Sequence, residues 1–227
     1  GIEIEGVDVS ALYSASRQLV DQLEEEDGSL YIQITRGVQP RAHAYPEPGQ
    51  LTPTVLMWAR PLARPDSSTV SQGVPVMTVP DDRWANVWLK TVNLLPNILA
   101  KTKAQRQGCQ EAIFVRDGFV TEGSSSNIFI VQGKTLRTTP VSNYILPGIT
   151  RQIVIELANA LGIAMDLRPF TVDELYQASE AFLSGTGTEI LPIATVDGRR
   201  LPTKRVVTDQ LMQAFEQEIV RSRQQTL

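Results

Sequence analysis

The chain of 227 residues contains one cysteine, Cys109, and one histidine, His43. A lone cysteine cannot close an intrachain disulfide, and a chain without disulfides suits a reducing compartment such as the cytoplasm. Such a cysteine is expected to be a small buried apolar residue rather than a nucleophile. A lone histidine cannot build a multi-histidine metal site, so no metal is expected. A serine hydrolase would have to use His43, and no Gly-x-Ser-x-Gly elbow is present. No apolar run is long enough to cross a membrane, and no signal peptide is visible. A positive excess is missing as well. The formal net charge is -4, which argues against a nucleic-acid partner. The longest charge run, Glu24 to Asp27, reads as a solvated helix end. No internal repeat appears.

The hydrophobic content of 42% with 20% charged residues is that of a soluble globular protein. The length allows one large domain or two small ones. Leu12, Ala15, Leu19 and Leu23 recur at helical spacing and predict a helix over 8–25, capped by Asp8 or Ser10 and stopped at Asp27-Gly28. Residues 29–36 alternate apolar and polar side chains, as a half-buried strand does. Residues 37–50 read as a loop and 52–59 as a second strand.

The composition of 61–73 is that of a linker, which divides a small domain (1–60) from a larger one (74–227). Beyond it the pattern predicts a strand at 74–80 and a short strand or turn at 85–90 entering a helix near 94–107. Several strands follow between 111 and 139, with turns at Asp117-Gly118 and Gln132-Gly133. Helices are predicted near 150–161, 172–180 and 207–223, the second opened by a Thr171/Glu174 capping box. Strands and helices do not alternate regularly. The fold class is therefore α+β with mixed sheets, not a Rossmann or TIM-barrel fold.

Five segments carry groups that could do chemistry. Lys90 lies in the mainly apolar run Trp88 to Leu95. A lysine in an apolar setting makes a better imine-forming nucleophile, although a lysine here also reads as one that reaches out to water. Glu122 opens Glu-Gly-Ser-Ser-Ser-Asn, a hydroxyl-rich turn. A carboxylate followed by small residues can approach a flat ligand and keep a pyridine nitrogen protonated; alone, the segment reads first as a hairpin loop with an exposed glutamate. Leu146-Pro147-Gly148-Ile149-Thr150-Arg151 opens a helix, whose free N–H groups and dipole suit a phosphate. Ser184-Gly185-Thr186-Gly187-Thr188 is a turn whose backbone could approach an oxyanion. Arg41, in Thr35-Arg36-Gly37-Val38-Gln39-Pro40-Arg41-Ala42-His43, could grip a carboxylate with two hydrogen bonds.

In this order and spacing, the segments resemble the class-IV (fold-type IV) aminotransferases, which depend on pyridoxal phosphate (PLP). The family includes D-amino acid transaminase, branched-chain L-amino acid aminotransferase and aminodeoxychorismate lyase. The resemblance runs from about Tyr31 to Ile193. It implies a small α/β domain, a larger pseudo-barrel α+β domain, a cofactor in the cleft between them, and a homodimer.

Carried over by position, Lys90 matches the Schiff-base lysine, which also moves the proton between the substrate α-carbon and cofactor C4′. Glu122 matches the carboxylate facing the pyridine nitrogen. Ile149, Thr150 and Thr186 match phosphate donors, and Leu146 matches the side chain packed on the ring. Ser126, Asn127, Gly148 and Gly185 complete the implied cofactor set. Ser124, Ser125, Thr186 and Gly187 fall on the substrate side.

The segment with Arg41 and His43 is most similar to D-amino acid transaminase, where this pair helps trap the substrate carboxylate across a dimer interface. The implied reaction is D-alanine plus 2-oxoglutarate to pyruvate plus D-glutamate. A branched-chain L-amino acid aminotransferase, a lyase and a non-catalytic homologue are the alternatives; the glycine-rich turn at 184–188 also resembles the branched-chain enzymes. The family carries a further strand-rich N-terminal segment that supplies an arginine to the phosphate and a tyrosine to the substrate. No residue of this sequence matches either.

Overall fold

A computed structural model describes residues 2–3 and 7–225. The chain divides into two compact units, Gly1–Arg64 and Pro65–Leu227.

In the first unit, α1 (Val9–Val20) starts where the Asp8 carboxylate accepts from the backbone N–H groups of Ser10 and Ala11, at 2.9 and 3.0 Å. It stops at Asp21, short of the predicted end at 25. The acidic run that follows adds nothing for an apolar face to bury. Two strands, β1 (Gly28–Thr35) and β2 (Thr54–Pro61), pair antiparallel without a register break. The cross-strand pair Tyr31/Trp58 stacks with ring centroids 4.1 Å apart, the kind of contact that fixes strand register. Their connection, 36–53, is the predicted loop. No described residue of this unit is buried.

The second unit opens with a feature absent from the sequence reading. The stretch read as a linker contains a short helix, α2 (Ser67–Gln72), capped by Asp66. Six residues are too few to show a helical period, and Ser and Thr mask the cap-and-turn signal. Then follow β3 (Val74–Pro80), α3 (Leu95–Arg106), β4 (Glu111–Arg116), β5 (Phe119–Gly123), β6 (Asn127–Gln132), β7 (Thr135–Arg137), α4 (Ile149–Ala160) and β8 (Ala164–Asp166). The unit ends with α5 (Val172–Tyr176), β9 (Glu180–Gly185), β10 (Glu189–Val196), β11 (Arg199–Arg200) and α6 (Val206–Gln225).

Strands β3 to β11 form one mixed sheet in the order β5-β4-β3-β10-β9-β6-β7-β8, with β11 added on β10. The long strand β10 joins its two halves. Residues 189–192 pair antiparallel with β9, and residues 193–196 run parallel to β3 across a register shift. A strand shared in this way curls the sheet, giving the α+β half-barrel.

Three apolar clusters cover the sheet. One holds Val76, Ile113, Ile128, Leu183 and Phe170; a second packs α4 and α6 against Phe129 and Phe182; a third sets α3 on Phe114. The capping box at Thr171/Glu174 is formed. However, α5 ends at Tyr176, because the backbone N–H of Ser179 already donates to Val131 O and draws the chain into β9. At the other end of β9's first residue, the buried Glu180 carboxylate accepts from Val207 N, Thr208 N and Thr208 Oγ1 at 2.7–3.0 Å. It satisfies the free N–H groups that start α6.

Candidate active site

The site in the second unit is laid out by strand register. Asn127 at the start of β6 pairs with Ser184 near the end of β9. The serine turn (124–126) and the Gly-Thr-Gly turn therefore leave the same end of the sheet. A Cβ placed on Gly185 would stand 3.5 Å from Ser125 O, so the two turns are in contact.

Glu122, on β5, is 4% exposed. Its Oε1 accepts from Arg83 Nη1 at 2.6 Å. Its Oε2 accepts from Asn127 Nδ2 at 3.0 Å and from the backbone N–H of Leu146 at 3.1 Å. Asn127 Nδ2 also donates to Leu146 O at 3.0 Å. The amide thereby locks the Leu146-Pro147-Gly148 segment beside the carboxylate. Gly148 is required here, since a Cβ would overlap Asn127 Oδ1. Burial is the largest influence on the Glu122 carboxyl and pushes it up to about 7 despite the Arg83 guanidinium, which opposes it.

Helix α4 begins directly after this segment. Its N-cap is Gly148, no side chain caps it, and its first turn holds no acidic residue. The Thr150 side chain is buried. At the end of β9, the buried Ser184 Oγ has no partner among the described residues.

The serine turn is organised by a residue the sequence reading missed. Glu111, 2% exposed at the head of β4, accepts from Ser124 Oγ, from Ser125 Oγ at 2.9 Å and from Ser126 Oγ at 3.1 Å. A carboxylate accepts only, so each of these hydroxyls gives its hydrogen to Glu111. What the turn offers outward from its side chains is lone pairs. Lys101 Nζ stands 3.4 Å from Glu111. Arg83 and Asp81, which follow β3, were missed too. Each looks in sequence like ordinary surface charge, and only the tertiary pairing shows that it is buried. The one signal was their position, next to apolar strand residues.

Lys90 departs from its expected apolar setting. It is exposed in this chain, because its apolar neighbours Trp88, Leu89, Val92, Leu94 and Leu95 are exposed as well. Its loop is nevertheless tied to the site. Arg83 reaches Glu122 and Tyr144 O at its start, Val87 N donates to Asn143 O at 2.8 Å, and Asn97 Nδ2 donates to Ser124 O at 2.9 Å at its end. In the first unit, Arg41 and His43 are neighbours, with Nη2 and Nε2 3.5 Å apart, and both are exposed. Thr186 and Gly187 are exposed at the tip of their turn, and the Ile149 side chain faces solvent. The structure thus gathers Glu122, Asn127, Leu146, Gly148, Gly185 and the three serines. It leaves Lys90 on the adjoining loop.

The model of the amino-transferase class IV family matches residues 6–196. The chain belongs to the class-IV aminotransferases. It is 39% identical over 200 residues to a D-alanine aminotransferase of Bacillus licheniformis, which covers 86% of this chain and 70% of the relative. Its fold is similar to that of the Escherichia coli branched-chain amino acid aminotransferase, with a TM-score of 0.79 and 28% identity over 95% of this chain and 73% of that one. It is also similar to a Mycobacterium tuberculosis aminotransferase described as hypothetical, in a form with α-ketoglutarate and pyridoxamine phosphate bound. There the TM-score is 0.74 and the identity 26%, over 93% and 77% of the two chains.

Class-IV aminotransferases use pyridoxal phosphate, and the residues present in this class-IV chain fit it. The uncapped start of α4 offers N–H groups and a favourable dipole to a phosphate. The orphaned Ser184 hydroxyl lies at the neighbouring strand end. Glu122 Oε1 has a single partner and keeps a lone pair for a ring N–H. Among the described residues no cluster suits a metal, and no helix is long and apolar enough to cross a membrane.

Proposed function

We propose that the protein exchanges amino groups between D-amino acids and 2-oxo acids, taking D-alanine and 2-oxoglutarate to pyruvate and D-glutamate. The observation that carries this reading is the buried Glu122 carboxylate beside the uncapped start of α4. The D-amino acid side is supported by the D-alanine aminotransferase relatives and by the adjacent Arg41 and His43.

Bound pyridoxal phosphate supplies an electron sink for charge left on the substrate α-carbon. The two compact units are read as its small and large domains. Ile149 and Thr150 would donate backbone N–H groups, and Thr150 and Thr186 hydroxyls, to the phosphate, with Gly148 and Gly185 allowing close approach. Glu122 would face the pyridine nitrogen and keep its proton in place, with Asn127 and Ser126 fixing that wall. Leu146 would pack on the ring. Lys90 would hold the cofactor and carry the proton between the substrate α-carbon and cofactor C4′. Arg41 of a second copy of the chain would grip the substrate carboxylate, with His43 beside it. Ser124, Ser125 and Gly187 line the substrate side, the serines as acceptors.

The exposed apolar side chains between Trp84 and Leu99 are assigned to contact with a second copy of the chain, since many large apolar groups left exposed close together in sequence suit a covered surface. A cytoplasmic location agrees with the single cysteine. A branched-chain L-amino acid aminotransferase is the second reading, favoured by the similarity to the E. coli enzyme.

Lys90→Ala tests the assignment. Turnover is expected to fall by at least about 10³-fold, since covalent and proton-transfer roles are lost together. Near-normal turnover in a folded variant overturns the reading.

A further inference from the structure

Arg83 belongs to none of the motifs that identify the site, yet it is 4% exposed and its side chain donates to Asp81, Thr121, Glu122 and Tyr144 O. Asp81 holds it along one edge, its Oδ1 accepting from Nε and its Oδ2 from Nη2, each at 2.9 Å. Its guanidinium lies over the Phe114 ring, 4.1 Å from the centroid. With one edge held by Asp81 and one face against Phe114, Nη1 is aimed at Glu122 Oε1, 2.6 Å away, and Nη2 at Tyr144 O, 3.2 Å away. Arg116 braces the assembly from β4, donating to Arg83 O at 2.8 Å and standing 3.2 Å from Asp81.

We propose that Arg83 is a positioning residue that supplies the counter-charge for Glu122 and ties that carboxylate to the loop bearing Lys90. This rests on the reading of Glu122 as the partner of the pyridine nitrogen.

The physical need is plain. A carboxyl buried like Glu122 favours its neutral form, and a neutral carboxyl cannot stabilise a protonated ring nitrogen. The charged groups acting on Glu122 are Arg83 and Asp81 from the loop after β3 and Arg151 from α4, with Arg116 from β4 behind Asp81. Asp81 pushes Glu122 towards protonation, and Arg83 is the cation in direct contact. Arg151 is turned to Thr139 O, and Arg116 is engaged by Asp81. By lowering the proton affinity of Glu122, Arg83 leaves a shared proton on the ring nitrogen. Arg83 lies seven positions before Lys90 and begins its loop, so one side chain sets both the electronic partner of the ring and the entry to the amine's loop.

The test uses Arg83→Met, with Arg83→Lys to keep the charge in a folded protein. In the protein free of cofactor, isotope-edited infrared spectroscopy with Glu122→Gln as the assignment control follows the Glu122 carboxyl. Arg83→Met is expected to move its titration up by about 1–3 pH units, and Arg83→Lys to stay near the parent. Pyridoxal phosphate labelled with ¹⁵N in the ring is then bound. Its nitrogen is expected to read as protonated in the parent and in Arg83→Lys, and as unprotonated in Arg83→Met. An unmoved Glu122 titration in a folded Arg83→Met protein overturns the proposal whatever the cofactor does. A moved titration in a protein that takes up no pyridoxal phosphate supports Arg83 and overturns the cofactor reading instead. A moved titration with an unchanged ring nitrogen overturns the role of Arg83 in setting the ring's proton.

Discussion

Glu122 meets three protein donors in a setting closed to water, and the balance between burial and those donors sets its proton. Burial wins, lifting the carboxyl from its ordinary 4.5 to about 7. An acid raised in the folded state adds stability that is fully present below about 4.5 and is lost as pH rises through about 7. The separation corresponds to roughly 3 kcal/mol. Asp81 is shifted the other way: its buried carboxyl is held below the usual range by Arg83 and Arg116, so its contribution is lost as pH falls. The Glu122 part is isolated by comparison with Glu122→Gln in urea unfolding of the cofactor-free protein at pH 5 and pH 8. The parent should lose about 2–2.5 kcal/mol more than the variant between those values; identical pH profiles would contradict the assignment. At this scale the sequence exposed Glu122, Asn127 and Gly148 through their motifs. It did not expose Arg83, Asp81 or Glu111. Their spacing repeats nothing, and their burial exists only once β3, β4 and β5 lie side by side.

Among the elements, most of the longer ones were legible, from their apolar patterns and from the turn residues that bound them. The strands near 29–36 and 74–80 and the helices near 94–107, 150–161 and 207–223 form within a few residues of their expected places. Elements whose extent is decided by a partner were not. Helix α2 is too short to show a period, and α5 ends where β9 takes over the backbone hydrogen bonds. The start of α6 depends on Glu180, an acidic residue at the head of an apolar strand 27 positions before the N–H it caps at Val207. Removing that carboxylate leaves buried donors unpaired. Glu180→Ala is therefore expected to cost about 2–4 kcal/mol, read by urea unfolding, and to loosen the α4/α6 side of the sheet in hydrogen exchange. A cost under about 0.5 kcal/mol would show that α6 is anchored by its apolar face instead.

For the whole molecule, the apolar surface from Trp84 to Leu99 is the feature least like a finished monomer. Leu95 and Leu99 are each more than 60% exposed. Light scattering is expected to give twice the chain mass, with Leu95→Asp/Leu99→Asp shifting the population to monomer; a parent protein that is monomeric at micromolar concentration contradicts that contact. Overall architecture was legible because the class follows from the mixture of strand and helix periods. The curl of the sheet was expected from the family resemblance alone, since it arises from β10 pairing in two directions along its length.

The central claim is amino transfer from a D-amino acid, and a single half-reaction tests it most directly. The protein is loaded with pyridoxal phosphate, D-alanine or L-leucine is added, and the cofactor's visible absorbance band is followed. The band is expected to disappear with D-alanine and to persist with L-leucine. Loss with L-leucine alone would contradict the D-amino acid assignment and move the protein to the branched-chain enzymes.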